Sequence, residues 1–284
     1  MNVRRFTIVV FAASLFLFSR VGLAVVYSVD ETTIAPFGDV DQTQVGPDCP
    51  TGGNNYCAPT ATINSFAWLE GAYPGTYGNS LEGGQASWAA AGSLLASAAF
   101  TNTTPCGGTT VANWIDGKYN YIETYAPGST VFEGESSVGT GGQPWVQAGN
   151  PTAAFLLQML QQGEDVELAI FPAAGIGHVL TLSSIDWDNV AGNDVFNPGN
   201  GDTLSIDGVD PAGDGVTAGT FDLDLGLTVG GELTITGGDG GAYNGYDIGA
   251  ALAESPCPEP ATLSLFFAGF GVIAALRRTR RKAA

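Results

Sequence analysis

The sequence predicts an α+β fold, with N-terminal helices packed on a C-terminal antiparallel sheet. Two observations carry that prediction. Between residues 58 and 162 the apolar residues recur at helical spacing, whereas from 166 onward they come in short runs bounded by Gly, Pro, Asn and Asp. Helices first and strands second is the order of an α+β domain. A third observation fixes the scale: roughly 230 residues lie between two apolar ends, enough for one large core or two small ones.

Taken in order, residues 25–48 read as an irregular, polar segment rich in Thr, Gln and Asp. Residues 58–70 read as a helix on which Ile63, Phe66, Ala67 and Glu70 share one face, with Leu69 near its edge. Pro59 is tolerated there because it falls in the first turn, and Gly71 supplies the stop. A second helix is expected over 85–99, with Trp88, Leu94 and Leu95, and a third over 109–124, with Val111, Trp114, Ile115 and Ile122. Asn150-Pro151-Thr152 is a capped start for a fourth, running to about Gln162 before Gly163. Strands are expected at Val166–Phe171, His178–Ile185, Thr203–Val209, Phe221–Val229 and Glu232–Thr236, with an acidic Gly/Asn loop from Asp186 to Asp202. The Gly/Asp runs at 192–202, 210–215 and 237–241 have no fixed period, so no repeat architecture is indicated.

Charge is distributed unevenly. The formal net charge is −19, but Arg4, Arg5 and Arg20 lie near the start and five cations lie after residue 276. Lys118 alone remains between, against 28 acidic residues from Asp30 to Glu259, a formal −27 for the interior of the chain. Such a surface repels phosphate backbones and excludes nucleic-acid binding as a function class. It suits solubility outside the cell.

Both ends carry targeting patterns. Residues 2–5 are basic at Arg4 and Arg5, Phe6 to Phe18 is apolar, and Gly22-Leu23-Ala24 is a small-residue exit. This is a secretory signal peptide over 1–24, with a signal anchor as the alternative because Arg20 lies so near the exit. At the other end Pro258-Glu259-Pro260 precedes the apolar run Ala261–Leu276 and the cluster Arg277-Arg278-Thr279-Arg280-Arg281-Lys282. Sixteen helical residues reach about 24 Å, so the run is expected to form a C-terminal transmembrane helix with its basic end in the cytoplasm. The order of these three features resembles the PEP-CTERM sorting signal of Gram-negative bacteria. That resemblance implies export, transient anchoring in the inner membrane, processing by an exosortase-type peptidase near Pro258, Glu259 and Pro260, and arrival at the cell surface or in the medium. An ordinary C-terminal anchor is the alternative. The chain then divides into a signal peptide (1–24), an irregular segment (25–48), an α+β domain (49–250), a linker (251–257) and the sorting signal (258–282).

The interior chemistry turns on Cys57. A thiol at a helix start faces unpaired N–H groups and the positive end of the helix dipole, which favour thiolate. The same amides suit an oxyanion. His178 is the single histidine, so it is the base if there is one. A third group should orient the imidazole, and the exit of the following strand offers Asp210 first, then Asp207, with Asn197 third. Four cysteines in an oxidising compartment also allow disulfides. Cys49 and Cys106 lie in Pro/Gly loops and suit a bridge that leaves Cys57 free; Cys49–Cys57 is the rival pairing, and Cys257 borders the sorting signal.

Tyr56-Cys57-Ala58-Pro59-Thr60, followed by Asn64-Ser65 and Trp68-Leu69, resembles the nucleophile helix of bacterial papain-like cysteine peptidases, nearest to those that process bacteriocin leaders. Gly177-His178-Val179-Leu180-Thr181 resembles their histidine strand, and Asp210-Pro211 their Asp-Pro. The resemblance spans residues 44–215 in outline, with only about twenty specific positions, and implies a papain-like fold with Cys57 as nucleophile, His178 as base and Asp210 as orienter, acting on a peptide or protein substrate. Such enzymes place an oxyanion glutamine several residues before the cysteine, where this chain has Thr51. Gln44, Asn54 or Asn55 would have to substitute. The triad does not distinguish a peptidase from a transamidase. A second class of function stays open: a non-catalytic surface or extracellular-matrix (biofilm) protein that keeps the papain-like scaffold.

No cofactor is expected. One histidine and oxidisable cysteines disfavour a zinc site. The loops at Asp186-Trp187-Asp188-Asn189 and Asp210–Gly215 have hard oxygen ligands of the kind calcium takes, without the full calcium-hand pattern, and solvated acidic loops are the plainer expectation.

Overall fold

A computed structural model describes residues 24–238 and 241–257. The signal peptide, the Pro258-Glu259-Pro260 motif, the expected transmembrane run 261–276 and the basic tail lie outside the described residues. Among the described residues no helix is long and apolar enough to cross a membrane.

The chain runs β1 (Val25–Asp30), α1 (Gln42–Val45), α2 (Cys57–Ala72), α3 (Trp88–Leu95), α4 (Val111–Tyr125), β2 (Thr130–Ser136), β3 (Val146–Ala148), α5 (Ala153–Gln161), β4 (Asp165–Phe171), β5 (His178–Asn189), β6 (Thr203–Asp210), β7 (Gly219–Leu227), β8 (Leu233–Gly238) and β9 (Asp247–Pro256). The strands form one nine-stranded sheet, antiparallel except for the β2–β3 pair. Successive pairings β4–β5, β5–β6, β6–β7, β7–β8, β8–β9 and β9–β4 close six strands on themselves. The ring has an apolar interior that includes Leu168, Leu180, Leu182, Ile206, Leu223, Ile235 and Ala253.

Period-two alternation sends the other residues of β4, β5 and β9 outward. Ala169, Val179, Ala250 and Leu252 meet Ala58 and Ala61 of α2 and Trp114 and Ile115 of α4 in a second apolar layer. A third, helical cluster lies beyond, with Ile63, Phe66, Trp68 and Leu69 of α2 against Tyr77, Leu81, Leu95 and Tyr121. α2 is therefore the central helix. It was expected to be amphipathic, yet it is buried on nearly every side, Glu70 included, because it lies between the strand layer and the other helices. Buried polar groups on it find partners: Thr181 Oγ1 donates to Ala61 O at 2.9 Å, Trp114 Nε1 donates to Thr62 Oγ1 at 3.1 Å, and Glu70 accepts from Leu81 N at 2.7 Å.

Three expectations need correction. Residues 25–48, read as irregular, hold β1, which pairs with the far half of β5, and the short helix α1. The stretch 251–257, read as a linker, is the second half of β9, a strand paired on both sides with β2 and β4. The packed unit thus begins at β1 and ends at Pro256 rather than spanning 49–250. β5 runs four residues past Ile185 into the supposed acidic loop, because Trp187 and Asn189 turn inward while Asp186 and Asp188 face solvent. β2, β3 and β9 had no expected counterpart: Gly134 and two glutamates interrupt β2, and β9 is Ala-rich, which favours no strand by propensity.

Candidate functional site

The site lies where the start of α2 meets the start of β5 and the end of β6. α2 begins without a side-chain cap, since Tyr56 at its N-cap makes no such bond. By contrast α3, α4 and α5 are capped by Ser87, Thr110 and Thr152. Pro59 has no N–H and Thr60 N donates to Tyr56 O at 3.1 Å, so the amides left at the start of α2 are those of Cys57 and Ala58. Cys57, the first residue of α2, is a free, partly exposed thiol.

Burial pushes the Cys57 thiol up, but the charge and hydrogen bond of His178 and the N–H groups of Val179 and Ala58 outweigh it, and its pKa lies below the ordinary value. His178 responds in kind. Burial acts to lower the imidazole, while the Cys57 charge and the bond to Asp210 raise it to about 10. Both shifts have a shared source, the contact between the Cys57 thiol and the imidazole.

His178 Nε2 lies 2.7 Å from Asp210 Oδ1, which leaves Nδ1 for the sulfur. Asp210 is buried and its carboxylate has three ties: Oδ1 also accepts from Ala212 N at 2.8 Å, and Oδ2 accepts from the Tyr243 hydroxyl. Burial raises this carboxyl, but His178, Tyr243 and the Ala212 amide hold it below the usual range. The Tyr243 ring also stacks on the imidazole, with centroids 5.6 Å apart and planes 16° from parallel. Tyr243 was not singled out from the sequence. It lies in the Gly-rich stretch after β8, where no period marks it.

The structure brings Cys57, His178 and Asp210 together and leaves the other orienter candidates elsewhere. Asp207 accepts from Ser184 Oγ at 2.7 Å, and Asn197 Oδ1 accepts from Gly199 N at 2.9 Å. A small cleft of about 50 Å³ opens beside the thiol, lined by Asn55, Thr109, Val111, Trp114, Phe171 and Ile176 among others.

The oxyanion candidates need correction. Gln44 donates its side-chain amide to Val216 O and does not line the cleft. Asn54 donates to Gly46 O at 2.9 Å and to Asp48 Oδ1 at 3.2 Å, so both its N–H groups are used in its own loop. Asn55 is the amide that faces the cleft. Its Nδ2 donates to Pro105 O at 2.8 Å, which leaves one N–H over. Tertiary packing decided between adjacent asparagines in a loop with no periodicity.

A disulfide joins Cys49 to Cys106 and ties the loop before α2 to the loop before α4. The two cleft walls, Asn55 on one loop and Gly108 and Thr109 on the other, flank that bridge. Cys257 is a second free thiol, partly exposed.

Among the described residues one carboxylate group has metal-ligand spacing, Asp165, Glu167 and Glu254, and Lys118 occupies it. The loops considered for calcium are organised internally instead: Asp214 Oδ1 accepts from Val216 N and Thr217 N, both at 2.8 Å.

β9 ends at Pro256, opposite Thr130, and Cys257 N donates to Ser129 O at 2.7 Å. Residues 256–282 match the PEP-CTERM protein-sorting motif, so the match begins at the last residue of the sheet. No curated protein matches the chain. The chain therefore carries a PEP-CTERM protein-sorting motif, which implies export, membrane-anchored transit and processing by exosortase, a membrane enzyme.

Proposed function

We propose that the folded unit is a papain-like thiol site that hydrolyses or transfers an acyl group of a peptide, delivered to the cell surface or the medium by its sorting motif. Cys57 is the nucleophile, His178 the base and acid, and Asp210 the orienter. The observation that carries this reading is the continuous chain Cys57–His178–Asp210, with the nitrogen of the imidazole facing Asp210 fixed at 2.7 Å.

In this mechanism the thiolate attacks the carbonyl carbon, and the imidazolium protonates the leaving amine. The Asn55 side-chain amide and the main-chain N–H of Cys57 are the donors that serve the oxyanion. Water or a second amine then releases the acyl group, with the imidazole taking its proton. The narrow cleft under Trp114, Phe171 and Ile176 suits an extended backbone with a small side chain beside the scissile bond.

The test is alkylation of the unreduced, purified protein by iodoacetamide across a pH series, with the labelled thiol mapped by mass spectrometry. Cys57 is expected to react well below pH ~8.5, where a free thiol titrates, and His178→Ala is expected to remove that advantage. A Cys57 that titrates like a free thiol, or is indifferent to His178, removes the catalytic reading. It leaves the non-catalytic surface or matrix protein that keeps the same scaffold.

A further inference from the structure

The interior holds a second group of reactive side chains, unrelated to the thiol site. Lys118, the only Lys or Arg between residues 21 and 276, is fully buried in the middle of α4. Its Nζ contacts Glu167 Oε2 of β4 and Glu254 Oε2 of β9, and lies 3.9 Å from Asp165 Oδ2. All three acids are buried, and Ser65 of α2 closes the cluster by donating to Asp165. The Phe66 ring lies 5.7 Å from Nζ.

One ammonium cannot neutralise three carboxylates away from water. Each acid keeps one oxygen without a hydrogen-bond partner: Asp165 Oδ1, Glu167 Oε1 and Glu254 Oε1. Protons must make up the difference. Burial, reinforced by the neighbouring carboxylates, raises Asp165 to about 7 and Glu254 well above the ordinary range. Asp165 and Glu254 lie directly opposite one another across β4 and β9, so they form the proton-holding pair. Glu167 Oε2 is in direct contact with Lys118 Nζ. An ammonium, a carboxyl group and a neutral carboxylic acid are thus held in contact in a buried site, which becomes the arrangement for intramolecular condensation once a proton moves from nitrogen to oxygen.

We propose that Lys118 Nζ and the Glu167 side-chain carboxyl condense to an isopeptide bond that ties α4 to β4. The ammonium first passes a proton to the Glu167 carboxylate, giving amine and acid. Nζ then forms a bond to Glu167 Cδ, while Glu254 donates its proton to the departing oxygen and recovers one from Nζ. The Cδ–O bond breaks and one water leaves. An ammonium and a carboxylate become an amide and water, with no change of oxidation state and no added reagent. The product also removes a buried ion pair, whose desolvation cost is large.

The test uses the full exported protein, reduced, denatured and weighed intact. The expected mass is one water below that calculated for the processed chain, whose ends are read from its terminal peptides. Trypsin supplies a second readout, because Lys118 is its only cleavage point between Arg20 and Arg277 and an amide at Nζ blocks it. The denatured chain should therefore resist cleavage there, and fragmentation should join a peptide containing Lys118 to one containing Glu167. Glu167→Ala should restore the full mass and the cut after Lys118. A wild-type chain of full mass that trypsin splits at Lys118 overturns the proposal, as does a water loss located elsewhere. The wild-type measurements decide the matter even if the variant does not fold.

Discussion

Removing the Cys49–Cys106 bridge is expected to weaken both the fold and the thiol site. The two cysteines are 57 residues apart in the chain. In the chain-entropy description a closed loop of that length stabilises by about 4 kcal/mol. For a unit of this size that corresponds to about 8–16 °C in the thermal midpoint. The bridge also holds the loop carrying Asn55 against Pro105, through the 2.8 Å bond from its amide. The double variant Cys49→Ala/Cys106→Ala should therefore show a lower midpoint and a larger denaturant m-value, since its unfolded chain is less constrained. It should also show slower alkylation of Cys57, because the cleft wall loosens. Tryptophan fluorescence during urea and thermal unfolding measures the first two, and mass-mapped labelling the third. A midpoint shift below about 2 °C with an unchanged m-value would refute the reasoning, since the loop-closure term would then be absent.

Three further outcomes are expected. Tyr243→Phe removes one donor from Asp210 and should raise the Asp210 pKa, move the Cys57 labelling profile by less than about one unit and cost about 1 kcal/mol; an unchanged profile would separate Tyr243 from the site. Glu31, Glu70, Glu164 and Asp165 are buried carboxyls raised to about 7, principally by desolvation. In that window the folded chain binds more protons than the unfolded one, so stability from these groups is present below pH ~4.5 and lost as pH rises through about 7. Thermal unfolding should accordingly give a higher midpoint at pH ~5 than at pH ~8, and the reverse order would contradict the assignment. Asn64 is buried, accepting from Val40 N at 2.8 Å and donating to Val40 O at 3.0 Å. Asn64→Ala strands both backbone groups and should cost about 2–4 kcal/mol by chemical denaturation.

Sequence alone located the four longer helices to within a few residues, because 3.6-residue spacing and Pro, Thr and Gly punctuation are local signals. It likewise indicated β4 to β8, where β-branched and aromatic runs stand between Gly and Asp. Cys57, His178 and Asp210 were readable for different reasons. Cys57 opens a helix, His178 has no competitor, and Asp210 ends the strand that follows. The C-terminal sorting motif was readable because it is a pattern of the linear chain, and residues 256–282 match it.

What the sequence did not determine is how distant segments meet. β1 and β9 are strands because a partner waits on each: β1 against β5, and β9 between β2 and β4. β9 lacks the propensity to declare itself, whereas Val25, Val26, Tyr27 and Val29 give β1 a strand propensity that the polar composition of residues 31–48 masked. The choice of Asn55 over Gln44 and Asn54, the Tyr243 contact to Asp210 and the gathering of Lys118 with three acids are all products of packing. The sole interior cation looks like an ordinary surface lysine in the sequence. Burial alone makes it the centre of a cluster, because removing water turns weak charge–charge interactions into strong ones and forces each acid to find a proton or a partner.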